Sequence, residues 1–544
     1  MKRGGTTRRH QPRIPVSAEV APIKEPKDID RSLYQDPKRA AARLLTQGVM
    51  LHTVLHRMVK IRVHGRRNVE GLRGAFVAVA NHSSHLDAPL IIDSLPQRLS
   101  RYLASGAAAM TLAACSGSKK GDANTVEYWL WDASQLPAYQ ACAEAFKAKT
   151  GITVNITQIG WGDYWTKLTA GFIADTAPDV FTDHIAKFAQ FVDLDVLLPL
   201  DEQAAWADVD TSVFQDGLID LWKGDDGHQY GCPKDWDTEA VFYNKTMLAD
   251  AGLSEKDLEN WDWNLQDGGS FEKVLARLSI DKNGVRGDEP GFDPTNVAVY
   301  GTSVADEGSS DGQTQWSPFT GSVGDWHYTD KETWGTHYRY DEKQFQDTLD
   351  WYFGLIDKGY MAPSGAFAKG NGTDVQLSSG KIALCINGAW MFNTFAKMDI
   401  EVGIAAHPVG PNGKSVSLMN GLGDSIVKSS KNIEGASKWV AFLGTQEAQD
   451  IVASFGIVFP AITSSTKKAI EVFEKTGLST KPFTSYLEAD NGGTFYFPLT
   501  YFGADVNAII KPGVADVYVN RVPASTLTEY NEQVNLLFKT SKKS

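Results

Sequence analysis

An α/β fold built from repeating strand–helix units is what this sequence predicts, on three observations. Downstream of Thr125, short apolar strand patterns alternate with longer segments whose apolar residues recur at helical spacing. Apolar residues make up 42% and charged residues 22% of the 544, the balance of a globular chain able to bury a core. No run of about 18 apolar residues, long enough to span a bilayer, occurs. At about 100–200 residues per domain, this length points to roughly three domains, or one small and two large.

Taken in order, TVEYWLWD reads as a strand, LPAYQACAEAFKAKTG as a helix, ITVNITQIG as a strand, YWTKLTAGFIADTA as a helix and PDVFTD as a strand. Strand and helix in alternation imply a parallel sheet, because parallel neighbours need a crossover between them. From Asn260 to Trp334 the chain is rich in Trp, Gly and Asp without clear periodicity, which predicts long loops decorating a lobe. Helical patterns return at FQDTLDWYFGLIDKG, at KNIEGASKWVAFLGTQEAQDIVASFG and in the C-terminal tail. No internal repeat is present.

Charge divides the chain. Residues 1–115 carry 19 Lys and Arg against 8 Asp and Glu, and the remainder 34 against 58, so a leader of net +11 precedes a body of net −24. The acidic body disfavours polyanionic ligands. In the leader the cations are spread through helix and strand patterns without interleaved aromatics, so nucleic acid is not an expected partner. Cys115, Cys142, Cys232 and Cys385 form no Cys-x-x-Cys pair, which argues against zinc and thioredoxin-type chemistry. With Cys115 set aside, at most one disulfide is open to the other three, and buried free thiols are the simpler expectation.

Residues 1–34 form a basic, polar, Pro-bearing leader expected to lack order. A helical pattern, AAARLLTQGVMLHTVLHRMVK, then leads to IRVHG and to GAFVAVANHSSHLDAPLII, a strand running into a loop. His82 stands at the strand end with Asp87 following it. A carboxylate there would fix the tautomer of the imidazole and let it deprotonate a hydroxyl for acyl transfer. Over residues 35–105 the chain resembles the opening block of the 1-acylglycerol-3-phosphate acyltransferase family, which implies His82 and Asp87 as catalytic residues acting on a lysophospholipid. That family continues with an Arg-bearing phosphate block and a Glu-Gly-Thr block, and no Glu-Gly-Thr occurs in this sequence. Without the remaining strands the dyad has no pocket, so an incomplete, inactive βα fragment is expected.

A second signature follows in RYLASGAAAMTLAACSGS, residues 101–118. An apolar stretch of about a dozen residues, flanked by Arg98 and Arg101, has the length of a signal-peptide core. Leu112, Ala113, Ala114 and Cys115 resemble a bacterial lipobox, which implies lipidation of the Cys115 sulfur and anchoring at the extracellular face of a bacterial membrane. The polar SGSKKGDAN that follows suits a linker, so 106–124 reads as lipobox and linker. Two unrelated beginnings meet near residues 105–109.

The body carries a third resemblance. AYQACAEAFKAKTGITVNIT, TAPDVFTDH, CPKDWDTEAVFYNKTMLADAG around Tyr243 and Asn244, SSGKIALCINGAWMF, VGIAAHPVGP and SLMNGLGDSIVKSSKN together resemble the extracellular solute-binding proteins of carbohydrate ABC importers. Lys234 departs from the pattern at a usually apolar position. The resemblance implies a periplasmic-binding-protein-like fold of two lobes, 122–235 with 403–460 and 236–402 with 461–540, joined by a hinge and closing on a sugar or oligosaccharide. It further implies delivery to ABC permease subunits, action as a monomer without cofactor, and no catalysis.

Residue chemistry points the same way. A sugar offers apolar C–H faces and a rim of hydroxyls, so its site needs flat aromatics, carboxylates and amides. The candidates are Trp131 with Asp132, Trp161 with Tyr164 and Trp165, Asp183, Trp236 with Asp237, Trp326 with His327, Trp390 and Asn420. Trp131 and Trp390 follow strand-like runs, at the edge where α/β folds bind ligands. Asp183 and Asp237 could equally be helix caps or ion-paired carboxylates. Trp165, Trp222, Trp351 and Trp439 sit at helical spacing and read as core. The family pattern best supports Asp183, Trp390 and Asn420. Asp281, Asn283 and Gly284 fall out of register for a calcium loop and read as a turn. No Gly-Lys-Ser/Thr phosphate cradle occurs, so the chain is not an importer's ATPase. Plentiful acids keep a glycosidase open as an alternative.

Overall fold

The computed structural model describes residues 124–304, 310–488 and 492–541. The leader 1–34, the fragment 35–105 with His82 and Asp87, and the lipobox with Cys115 lie outside the described residues.

The first units follow the sequence pattern closely: β1 (Thr125–Leu130), α1 (Leu136–Thr150), β2 (Thr153–Gln158), α2 (Trp161–Ala174) and β3 (Val180–His184); a further helix, α3 (Ile185–Asp193), which the pattern did not predict, follows directly. Pro137 sits in the first turn of α1, where its missing N–H has no partner to lose. The helix ends on Gly151, at φ 75°, whose N–H returns to the Lys147 carbonyl at 2.8 Å. Strand β1 pairs in parallel with both β2 and β3.

Beyond them come β4 (Gly231–Asp237), β5 (Glu239–Asn244), α4 (Gly269–Leu278), β6 (Ile280–Asp281), β7 (Val297–Val299), α5 (Lys343–Asp357), β8 (Leu384–Gly388), β9 (Val402–Ala405), β10 (Ser415–Ile426), α6 (Ile433–Leu443), α7 (Gln446–Ser454), β11 (Phe459–Pro460) and β12 (Gly492–Tyr496). The larger sheet has the order β11-β4-β10-β3-β1-β2, with β12 beside the first half of β10. An all-parallel sheet is therefore not what forms. β10 runs antiparallel to both β3 and β4, and β4 antiparallel to β11. β10 returns from the other lobe rather than through a crossover helix, so nothing constrains it to run parallel.

Two lobes result. The chain leaves the larger sheet through Thr238, the single residue between β4 and β5, and builds a second, antiparallel sheet in the order β8-β5-β9. The chain changes sheets at Thr238 and again after Ala405, and β12, within the 461–540 assigned to the second lobe, pairs with β10 of the larger sheet.

The stretch 260–334 corrects the expectation of loops. Helix α4 buries Phe271, Val274, Leu275 and Leu278, a stripe at helical spacing that the surrounding Gly and Asp obscure. Trp261, Trp263, Trp316 and Trp326 of the same stretch are buried in an aromatic core, with Trp263 stacked on Trp351 at 4.7 Å. The long helical pattern after Asn432 divides at Gly444, and Thr445 caps α7 by accepting from the Ala448 N–H at 3.4 Å. Trp222 and Trp439 are fully buried, while Trp165 and Trp351 are partly buried against the core. Cys142, Cys232 and Cys385 are free and buried. Asp281 closes its turn by accepting from the backbone of Asn283, Val285 and Asp293 at 2.8, 2.9 and 3.0 Å. Among the described residues no helix is long and apolar enough to cross a membrane.

Lys234 is explained by a bulge. Leu422 of β10 pairs with Asp235 and Gly423 with Pro233, so Lys234 is the extra residue of β4. Its ammonium donates to Tyr128 Oη at 3.0 Å and Thr182 Oγ1 at 2.9 Å and lies 3.6 Å from the centre of the Tyr139 ring. Tyr128 Oη in turn donates to Asp424 Oδ1 at 2.7 Å.

Candidate functional site

Helix α2 carries Trp161, Tyr164, Trp165 and Leu168 on one face. Tyr164 and Leu168 are enclosed, with the Tyr164 hydroxyl donating to the Thr182 carbonyl at 2.7 Å. Trp161 begins the helix and keeps 49% exposure. Trp131 leaves the end of β1 and meets Trp161 at 5.1 Å, Tyr164 at 5.1 Å and Trp165 at 5.3 Å between ring centres. His184 ends β3 with its ring 5.5 Å from Trp161 and 5.7 Å from Phe497. The result is a shelf of rings at the strand ends with one large aromatic open to solvent.

His184 also caps α3: its Nδ1 accepts from the Ala186 N–H at 3.1 Å. Burial pushes its pKa down to about 3, so the ring is neutral and presents Nε2–H on the far side. Asp183, fully buried, accepts the His184 N–H on Oδ1 at 2.8 Å, while Oδ2 has no partner. Burial holds that carboxyl well above the usual carboxylate range.

Register connects this shelf to the passage between lobes. His184 pairs with Leu422 across β10, and two residues away Asn420 pairs with Asp237 of β4. The Asn420 amide donates to Asp237 Oδ2 at 3.3 Å, leaving Asp237 Oδ1 and Asn420 Oδ1 buried without partners. Glu239, first residue of β5, accepts from Ser417 Oγ at 3.1 Å and pairs with Gly388 of β8. Trp390 follows Gly388, and its half-buried ring lies so close over that glycine that an added Cβ would sit 1.8 Å from it.

Burial pushes Asp235 up to about 7 and Glu239 up to about 8, and raises Asp237 well above the ordinary range, with the Glu239 charge adding to the last. Asp235 and Asp237 end β4 and Glu239 begins β5, and the charges of Glu239 and Asp235 both act on Asp237.

The remaining candidates lie elsewhere. Asp132 accepts from the Ser134 N–H and hydroxyl at 2.8 and 2.7 Å, forming the turn into α1. Trp236 is enclosed, packed on Phe459 at 5.0 Å and donating to Thr466 Oγ1 at 3.3 Å. Trp326 is fully buried, stacked on Phe345 at 4.5 Å and donating to the Arg339 carbonyl at 2.9 Å. Trp131, Trp161, Asp183, Asp237, Trp390 and Asn420 gather around the strand ends and the lobe passage; Trp236 and Trp326 sit in the core. His184, Glu239 and Phe497 join the site without having been singled out. The spacing of acids at 235, 237 and 239, just before the apolar run AVFY, was the available signal for Glu239.

Comparison with known proteins adds the family. Residues 132–450 match the bacterial extracellular solute-binding protein family. A maltooligosaccharide ABC transporter solute-binding lipoprotein of Streptococcus pneumoniae is 27% identical over 248 residues, 45% of this chain and 51% of that one, so the chain spans about half the length of this relative. A galactooligosaccharide-binding protein of Bacillus subtilis is 23% identical over 378 residues, 65% of this chain and 78% of its own. Among solved structures, UspC of M. tuberculosis superposes with a TM-score of 0.60 at 24% identity, covering 76% of this chain and 99% of that one. The substrate-binding protein Lmo0181 of Listeria monocytogenes, in complex with cycloalternan, reaches 0.64 at 17% identity, covering 77% and 99%. With the two-lobed α/β architecture and the family match over more than half of its length, the chain belongs to the bacterial extracellular solute-binding proteins.

Proposed function

We propose that this chain captures a sugar or oligosaccharide between its two lobes and hands it to the permease subunits of an ABC importer. The observation that carries the reading is the ring shelf of Trp131, Trp161 and His184 set beside buried acceptors on Asp237 and Asn420. Flat rings suit the C–H faces of a pyranose, and fixed amide and carboxyl groups suit its hydroxyl rim. Trp131, Trp161, Asp183, Asp237, Trp390 and Asn420 are the proposed contacts, with hinge closure between the lobes completing the site. Relatives named for maltooligosaccharides and galactooligosaccharides support the ligand class. A monomer, lipidated at Cys115 and held at the outer face of the membrane, is the form we propose; the relative named as a lipoprotein supports the lipid anchor.

Titration of intrinsic Trp fluorescence with a panel of oligosaccharides, followed by product analysis of the mixtures, tests the reading. Saturable quenching or enhancement with the sugar recovered intact is expected, and Trp161→Ala weakens it about tenfold while leaving the unfolding transition in place. Absence of any saturable response sinks the proposal, and appearance of shorter sugars turns it into a glycosidase.

A further inference from the structure

Asp237 and Glu239 lie on the lobe-crossing strand, both buried and neither beside a cation. The groups acting on Asp237 are Glu239, Asp235 and the Asn420 amide; those on Glu239 are Ser417, Gln313, Asp311 and backbone. The nearest buried ammonium, Lys234, is committed to Tyr128 and Thr182 and acts on Asp424 and Asp235, while Lys187 acts on Asp183. Every hydrogen bond accepted by the two carboxyls comes from a neutral amide or hydroxyl, and the imidazole that meets the Glu239 backbone, His407, is held neutral by burial, its pKa pushed down to about 3. Two acceptor oxygens, Asp237 Oδ1 and Asn420 Oδ1, remain unpartnered in residues 9% and 4% exposed, and Asn420 already spends its amide on Asp237.

A hydroxyl can satisfy one such acceptor, but it brings no charge. Two buried carboxyls without a counter-ion either stay protonated or require a cation. A protonated amine brings three donors and the missing charge together. The body's net charge of −24 over residues 116–544 favours approach of a cation as well. We propose that the ligand carries a protonated amine, an amino sugar or amine-bearing oligosaccharide, whose ammonium seats against Asp237, Glu239 and Asn420. The inference rests on the sugar-capturing role proposed above and specifies which sugars it takes. Seating the ammonium ionises one of the two carboxyls, whose charge it balances, so binding releases up to one proton, whereas a neutral sugar leaves both carboxyls protonated.

The test uses the full chain and a panel of mono- to tetrasaccharides of the gluco, galacto and chito series, each in free-amine, N-acetyl and hydroxyl form. Calorimetry in buffers of different ionisation enthalpy gives affinity and proton release together. The expected result is free-amine members binding about tenfold or more tighter than their neutral counterparts, the size of one charged hydrogen bond, with proton release seen only for them. Asp237→Asn and Glu239→Gln each shrink that preference to about threefold or less, and Asn420→Asp widens it. Neutral members binding as tightly overturn the inference and leave the sugar reading standing. A preference that survives both substitutions overturns it too, and a panel in which nothing binds removes both readings. Circular dichroism checks each variant's fold; should Asp237→Asn fail to fold, Glu239→Gln and proton release by the unsubstituted protein decide.

Discussion

At Lys234 the bulge in β4 turns an extra side chain into a core already containing Tyr128, Tyr139 and Asp424. Burial drives the ammonium toward its neutral form, and the charges of Asp424 and Asp235 oppose that shift. Burial likewise raises the Asp424 carboxyl, against the pull of Lys234. Each charge is tolerable because the other is present. Lys234→Met is therefore expected to destabilise the fold by about 3 kcal/mol, because it strands Asp424 without its compensating charge. Lys234→Met with Asp424→Asn, which keeps a polar partner for the Tyr128 hydroxyl, should return most of that loss. Urea unfolding of the two single variants and the pair closes the cycle; additive losses would show that the two groups are not coupled.

At the scale of one element, the strand running from β4 through Thr238 into β5 carries its three acids with raised pKa values. A carboxyl whose folded pKa lies above its unfolded value binds more protons in the folded state, so stability is greatest below the unfolded pKa and falls as pH rises toward the folded one. With Asp235 pushed from 3.8 to about 7 and Glu239 from 4.5 to about 8, the ligand-free protein should lose stability steadily between about pH 4 and about pH 8. Melting temperatures across that window, with Glu239→Gln giving a shallower slope than the unsubstituted chain, check it; a flat profile would mean that these groups are hydrated and unshifted. On the neighbouring strand, Gly388→Ala places a Cβ 1.8 Å from the Trp390 ring. The ring must swing out, so we expect destabilisation of about 1–3 kcal/mol, a shifted Trp emission and weaker ligand binding. An unchanged emission spectrum would show that backbone movement absorbs the clash instead.

The same elements show how far the sequence could be read. Units β1 to β3 were legible because period-2 and period-3.6 patterns alternate there with short turns, and their boundaries follow from local signals such as Pro137 and Gly151; α3 was not legible, because it follows β3 directly with His184 as its cap and no turn residue to mark its start. The parallel sheet was over-extended, because strand direction in β10 depends on which lobe the chain returns from, and no local pattern encodes that. Trp326 read as a ligand ring from composition and Trp236 from its place beside Asp237 at an expected strand end, yet each finds a partner for its indole N–H inside the protein, at Arg339 and Thr466. His184 and Phe497 entered the site by tertiary proximity alone, being 313 positions apart in the chain.

At the scale of the molecule, the chain clusters into two units, residues 1–118 and 119–544, and every proposed ligand contact, from Trp131 to Asn420, belongs to the second. Its core is continuous from Val126 to Val534, so folding of this unit draws on its own buried side chains. A chain beginning at Lys119 should therefore fold alone and bind the same oligosaccharide with the same affinity as the whole protein. Binding stabilises only the folded state, by about 2.7 kcal/mol when ligand is present at about a hundred times its dissociation constant. The ligand-induced rise in melting temperature is thus a direct comparison: equal rises for the two chains are expected across a concentration series. A smaller rise in the shorter chain, with its ligand-free melting temperature unchanged, would assign part of the binding surface to residues 1–118, and a lowered ligand-free value would make that segment part of the fold's support rather than an independent beginning.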